Sequence, residues 1–573
     1  MKKIIIFCLV FLLVSLFSIT SCQKGPEEAD LVIINGQVIT VDQAVPEAEA
    51  VAIRDGIIIA VGKTKEINHY ISDRTEVIDL QGKTLIPGFI DSHAHFMGIG
   101  RSKLTIDLRD CQSWEEIVEK VKQAVAQAQP GEWILGRGWH QEKWDRIPQP
   151  NINGLPFHHQ LSAVSPENPV LLTHASGHSS IANARAMELA GITAETPDPD
   201  GGEIVRDKQG KPIGVFRETA QSLIRRVYAQ HQAKKTPEER EQELRKIVLL
   251  AAEECLAKGV TCVHDAGVSL ETIDLYKRMV DEQQLNLRLY VMVTESNDRL
   301  AQRLNEYRLE GYQDHHLTVR AIKRFIDGAL GAHGAWLLEP YVDLPASTGL
   351  NTTPIEVLRQ TALLAIENDW QLCIHAIGDR ANREVLNLYE EVFKTHPEKK
   401  DLRWRIEHAQ HLDPTDIHRF ARLGVIASMQ GIHCISDGPW VLKRLGPKRA
   451  EEGAYVWRKL IDSGAVICNG TDAPVEDVDP IRSFYASVTR RLKDGSLFYP
   501  EERMTREEAL RSYTLNGAYA SFQEKILGSI TPGKLADLVV LSQNILTCPE
   551  DKILQTKVLM TFVGGKRVYK KKD

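Results

Sequence analysis

Eight short apolar runs recur between residues 85 and 473, with helix-like stretches between them. They are 85–95 (LIPGFIDSHAH), 260–267 (VTCVHDAG), 286–293, 317–327, 370–379, 402–410, 424–430 and 465–473. Segments 354–368 and 413–423 read as two of the intervening helices. Strands that alternate with helices pair in parallel, because each crossover must return the chain to the same edge of the sheet. Eight such units fit a closed barrel, and an open doubly wound sheet is the other arrangement the pattern allows. The predicted fold class is α/β, a (β/α)8 TIM-type barrel.

The two ends read differently. LVIINGQVIT (31–40), AVAIRDGIIIAVG (50–62), LADLVVL (535–541) and VLMTFVGGKRVY (558–569) are rich in Val and Ile and are punctuated by turn residues. They predict one small β-sandwich domain built from both termini, over residues 23–85 and 526–573, around a barrel spanning 86–525. About 160 residues separate the first barrel run from the second, far more than one crossover helix needs. Residues from about 97 to 240 are therefore read as an insertion, and one placed after the first strand lies over the active face of a barrel.

Residues 1–22 stand apart. Lys2 and Lys3 precede an apolar stretch from Ile4 to Phe17, and Ile19-Thr20-Ser21-Cys22 follows. The stretch is shorter than the ~20 residues of a spanning helix. A charged start, an apolar centre and small residues at a processing point make a secretory leader. Its last four residues resemble a bacterial lipobox, which implies cleavage before Cys22 and lipidation of that residue. A plain signal peptide or an uncleaved anchor is the alternative. The implied location is a membrane-anchored lipoprotein on the periplasmic or cell-surface side of a bacterial membrane.

Composition excludes some classes. The net charge of −7 over 573 residues, with no long basic run away from the termini, argues against a nucleic-acid partner. Nine Cys include no C-x-x-C pair, so neither a zinc knuckle nor a redox motif is indicated. Cys262, Cys373 and Cys468 fall in apolar runs and read as buried thiols. The expected partners are a small-molecule substrate and, through the lipid, a membrane; a homo-oligomer stays open.

Polar residues gather at the C-terminal ends of the runs. The first ends in Asp91-Ser92-His93-Ala94-His95, and residues two apart on a strand point the same way, so His93 and His95 can grip one ion. His-x-His alone is a weak signal. The fifth run adds His375, the sixth His408 and the eighth Asp472. In a barrel these positions converge on one face, and imidazole and carboxylate are ligand types for zinc and its neighbours. The predicted cofactor is one or two divalent metal ions, zinc being the first choice.

The segments PGFIDSHAHF, IHAIGD, IEHAQ and GTDAPV resemble the amidohydrolase superfamily, within it the amidohydrolase-3 (YtcJ-like) group, from about residue 30 to the C-terminus. The resemblance raises the question of Lys323, on the fourth run. In binuclear amidohydrolases a lysine there is carboxylated and bridges two metals. The competing reading is an ammonium paired with a carboxylate such as Asp327. A lysine facing a cationic site is unfavourable unless neutralised, so the carbamate is preferred, and neighbouring Arg324 should face the other way. In the insertion, segments around Trp139, His140, His174, His178 and Glu218 are similar to the same group. Trp139 reads equally as core packing or as a pocket wall. Ser176 stands where the group commonly has Asp, which leaves the local substrate contact in doubt. His178 and His433 are taken, with Trp139, as substrate-binding residues.

The resemblance implies hydrolysis of a non-peptide carbon–nitrogen bond in an amide, formamide or cyclic amide. Asp472 would be the catalytic residue, orienting water, taking its proton and delivering it to the leaving nitrogen. Deamination and ester hydrolysis use the same kind of site. The alternative is a non-catalytic metal- or ligand-binding surface lipoprotein on the same barrel, which fold alone does not exclude.

Overall fold

The structure is a computed structural model that describes residues 28–572 other than 142, 143, 175–178 and 201, and the side chains of 218 and 332 are also outside the description. All eight apolar runs contain strands. They are β1 (Phe89–Ala94), β2 (Val260–Val268), β3 (Arg288–Val293), β4 (Leu317–Phe325), β5 (Gln371–Ala376), β6 (Arg405–His408), β7 (Ile426–Met429) and β8 (Ile467–Asn469). Each pairs in parallel with the next in sequence. Five of the eight are buried along their whole length, as a sheet wrapped by helices requires.

The ring closes past the end of β8. The Asp472 amide donates to the His93 carbonyl at 2.7 Å, and the His95 amide donates to the Ala473 carbonyl at 2.8 Å. Gly470 permits this approach, since a Cβ there would lie 2.5 Å from the His93 nitrogen. The helix expected over 354–368 spans Ile355–Glu367. The one expected over 413–423 begins only at Ile417, because Asp413 accepts the Thr415 amide and holds a turn ahead of it. Gly424, at φ +66°, ends that helix where only a left-handed residue fits.

Between β1 and β2 lies a sheet of its own. Its six strands run in the order Gly202–Arg206, Pro212–Glu218, Ser179–Ala182, Val170–His174, Ile134–Trp139, Ile106–Asp107. The chain then returns to β2 through a helix over Pro237–Ala257, whose start is fixed by a capping box of Thr236 and Glu239 with Pro237 at the first position. That helix crosses the one over Phe96–Lys103 so closely that a Cβ on Gly100 would come within 1.9 Å of the Ile247 carbonyl oxygen.

The two ends of the chain share sheets. Thr84–Pro87 pairs antiparallel with Leu538–Leu541, in a six-stranded sheet that also holds Gln37–Ile39 and Val558–Val563. A four-stranded sheet with Leu31–Ile34 and Ala50–Arg54 lies against it over a core that includes Ile33, Val51, Leu85, Leu538 and Phe562. This β-sandwich is tied to the barrel by Arg288, the first residue of β3. Its Nε and Nη2 donate to the Asp537 carboxylate at 2.8 and 2.9 Å, with both side chains buried. Cys262, Cys373 and Cys468 are buried free thiols. Among the described residues no helix is long and apolar enough to cross a membrane.

Candidate metal centre

The C-terminal ends of β1, β4, β5 and β6 and the turn after β8 converge on one buried cluster. Asp472 is its hub. His95 Nε2 lies 3.2 Å and His93 Nε2 3.6 Å from Asp472 Oδ1, while His433 Nε2 lies 3.8 Å from Oδ2. The His408 ring sits between those of His93 and His375, at centroid distances of 4.7 and 4.5 Å. Two triads emerge in which the potential ligand atoms lie within 4.8 Å of one another: His93, His95, Asp472 and His408, His433, Asp472. None of the four predicted histidine ligands points to the outer helices. His433 is drawn into the same cluster, its Nδ1 meeting Gln410 Nε2 at 3.1 Å.

Two of these residues break strand geometry. His408 has φ +75° and Asp472 φ +57°, conformations that L-residues with side chains seldom adopt. In a regular strand Glu407 and His408 would point to opposite faces. The left-handed backbone turns both inward, a local strain of the kind found at functional sites.

Inward-facing Glu407 has a defined task. Its carboxylate is ion-paired with Arg405 (Nε to Oε1 2.7 Å), accepts a hydrogen bond from Arg405 Nη2 at 3.1 Å and makes a short hydrogen bond to His93 Nδ1. Arg405 is fully buried and also donates to the Ser92 carbonyl at 2.5 Å and to Ser428 Oγ at 2.8 Å. Burial alone would raise the Glu407 pKa, but Arg405 and His93 hold it far below the ordinary value. His408 is braced similarly, Nδ1 against Gln430 Oε1 at 2.6 Å. With their Nδ1 edges engaged, both rings turn Nε2 inward. Asp91 anchors the floor, accepting Thr471 Oγ1 at 2.6 Å and the amides of Thr471 and His93.

Burial lowers the pKa of His93 to about 4 and of His375 to about 3, and holds His408 well below its usual value. Burial works against the charged form of Asp472, but the neighbouring His95 and the surrounding imidazoles keep its pKa well down. At neutral pH His93, His375 and His408 are thus neutral imidazoles around the Asp472 carboxylate. His93 Nε2, His375 Nε2, His433 Nε2, Asp472 Oδ1 and Lys323 Nζ are all buried without a hydrogen-bond partner. Buried polar atoms are rarely left so, and the four His and Asp atoms at one place fit a cation, with Lys323 compatible only once neutralised.

Lys323 is completely buried, and burial lowers its pKa. Asp327 is not its partner. That carboxylate is spent on the amides of Ile377 (3.0 Å), Gly378 (2.8 Å) and Trp336 (2.9 Å). Arg324 faces outward as expected, donating to Thr361 Oγ1 at 3.1 Å and Asn297 Oδ1 at 3.0 Å.

Of the insertion residues, Trp139 packs in a core separate from this cluster. Trp139 is fully buried, donates Nε1 to the Leu172 carbonyl at 2.9 Å, and packs in the insertion's own core beside Trp144. Its placement matches the core-packing reading and not the pocket wall. His178 and Cys22 lie outside the described residues.

Comparison with known proteins fits this arrangement. A model of the amidohydrolase family matches residues 76–569. The chain belongs to the amidohydrolase family. It is a metal-dependent hydrolase acting on carbon–nitrogen bonds. The protein LONG AFTER FAR-RED 3 of Arabidopsis thaliana is 34% identical over 557 residues, covering 94% of this chain and 92% of its own. YtcJ of Bacillus subtilis is 32% identical over 94% of this chain and 98% of its own, which supports the YtcJ-like group. An N-substituted formamide deformylase of Arthrobacter pascens is 30% identical over 94% of this chain and 97% of its own. Among solved structures, a metal-dependent hydrolase of Pyrococcus horikoshii superposes with a TM-score of 0.73 at 27% identity, covering 91% of this chain and 99% of its own.

Proposed function

We propose that this protein hydrolyses a non-peptide carbon–nitrogen bond in a small amide, formamide or cyclic amide, using one or two zinc ions. The observation that carries the reading is the set of four buried ligand atoms without hydrogen-bond partners, His93 Nε2, His375 Nε2, His433 Nε2 and Asp472 Oδ1. His93, His95, His375, His408 and Asp472 would hold the metal. A divalent ion bound there supplies Lewis acidity, polarising a carbonyl and bringing the pKa of water to about 7. The chain's own residues do the rest. Asp472 accepts the proton of the attacking water on its carboxylate and returns it to the leaving nitrogen. His433, 3.8 Å from Asp472, would hydrogen-bond the substrate. Lys323, whose pKa burial lowers, would take up CO2 at Nζ with loss of a proton, forming a carbamate that could serve as a metal ligand. The formamide deformylase relative adds weight to N-substituted formamides as a first substrate class.

The test is a screen of zinc-loaded protein over N-acyl amines, formamides, cyclic ureas and lactams. Hydrolysis that needs zinc and is lost in Asp472→Asn is expected. Stoichiometric zinc with no turnover across the screen overturns the reading. We further propose that the mature protein begins at lipidated Cys22 and is anchored on the periplasmic or cell-surface side of a bacterial membrane. The leader's sequence supports this.

A further inference from the structure

We infer that Phe325 selects substrates carrying a bulky apolar group beside the scissile bond; the inference rests on the amide-hydrolase reading above. Among the described residues Phe325 is the one exposed aromatic side chain, at 38%. Every other Phe, Tyr and Trp of the described chain is buried or half-buried. A phenyl ring left in water forgoes the stabilisation that burial brings, so its position calls for a reason.

The position is the mouth of the metal centre. Phe325 ends β4, two residues after Lys323, and therefore points to the same side of the strand. In the β4–β5 ladder it is paired with His375, and the bond from the Ile326 amide to the His375 carbonyl (3.1 Å) extends that register by one step. The two rings meet at 5.3 Å between centroids, and Lys323 Nζ lies 4.5 Å from the Phe325 ring centre. The other side chains of the cluster are closed off: Lys323 and His93 are fully buried, and His375, His433 and Asp472 are 13%, 8% and 10% exposed. Only His95, at 36%, is as open as Phe325. The strand order sets β4 three places around the ring from β1, which carries His95. A substrate entering this mouth meets an imidazole beside Asp472 on one flank and a bare phenyl ring on the other. An apolar substituent would cover that ring; a polar one would leave it wet.

The apolar group can belong to the nitrogen or to the acyl side, and two substrate series separate these sources. One holds the formyl group and varies the N-substituent through methyl, butyl and phenylethyl; the other holds methylamine and varies the acyl chain likewise. The measurement is the ratio of kcat/KM for the largest and smallest member, in zinc-loaded wild type, Phe325→Ala and Phe325→Leu. In one series the wild-type ratio should favour the large member, fall on the order of 100-fold in Phe325→Ala, and fall less in Phe325→Leu. Phe325→Leu keeps the test usable if the alanine variant folds poorly. A wild-type ratio near one in both series, or equal losses for large and small members, overturns the inference. If wild type hydrolyses neither series, the formamide reading fails first. Calorimetric binding of phenylethylamine against methylamine, and of phenylpropionate against acetate, then decides for Phe325. Tighter binding of a large member that is lost in Phe325→Ala supports it, and no such difference overturns it.

Discussion

Glu407 holds the Nδ1 edge of His93, so His93 can present only Nε2 to the centre of the barrel. Replacing Glu407 by Gln should free the tautomer and weaken zinc binding by about 10–100-fold, read by competition with a chelating dye. Arg405 would lose its charged partner while still buried, so thermal stability should drop as well. Unchanged zinc affinity in a destabilised variant would show that Glu407 serves the fold alone.

Lys323→Ala should lower metal content to about one ion per chain, because four histidines and one aspartate supply too few ligands for two closed sites. Activity should fall steeply and recover in part with added short-chain carboxylates. Metal analysis alongside the rescue assay settles it. A variant that keeps both its metal and its activity would make Lys323 a structural residue.

The Arg288–Asp537 pair joins barrel to sandwich out of water. Asp537→Ala strands a buried guanidinium and should cost about 3–5 kcal/mol in urea unfolding. Arg288→Met combined with Asp537→Leu should recover much of the loss. A cost below about 1 kcal/mol, as for a surface pair, would contradict the burial seen here.

His411 is buried with neither ring nitrogen hydrogen-bonded, and burial pulls its pKa to about 3. Its folded value lies below the unfolded one of about 6.5, so the unfolded chain binds the extra proton first. The stability this neutral ring allows is present above pH 6.5 and is lost as pH falls toward 3, by about 1.4 kcal/mol per pH unit from this group. His411→Phe should therefore gain on wild type as the pH drops from 7.5 to 5 in urea titrations. A difference that does not vary with pH would rule this out.

Mass spectrometry of protein isolated from a bacterial host should find diacylglycerol-modified Cys22 as the first residue, and Cys22→Ser should move the protein out of the detergent phase. An intact Met1 or an unmodified Cys22 at the N-terminus would refute the anchor.

The apolar runs announced the barrel because parallel strands covered on both faces read as short unbroken hydrophobic stretches, and polar residues at their ends stand out. His93, His95 and His375 follow from that logic. Glu407 does not, because alternation places it opposite His408, and only the positive φ of His408 brings both inside. The better clue was Arg405-x-Glu407, two charges on one face of a strand with no water to meet, which must pair with each other. The insertion's sheet was illegible for a different reason: strands as short as Ile106–Asp107 carry no periodicity.

A sheet shared by the two ends of the chain also sets a timetable. Thr84–Pro87 must wait for Leu538–Leu541, roughly 450 residues later, and at bacterial synthesis rates of about 5–20 residues per second that delay is on the order of 20–90 s. Throughout it the early strands hold open edges that a neighbouring chain could take. Whatever keeps them apart in the cell, a holding chaperone or a membrane to be crossed, has to act on the first hundred residues before the last hundred have been made.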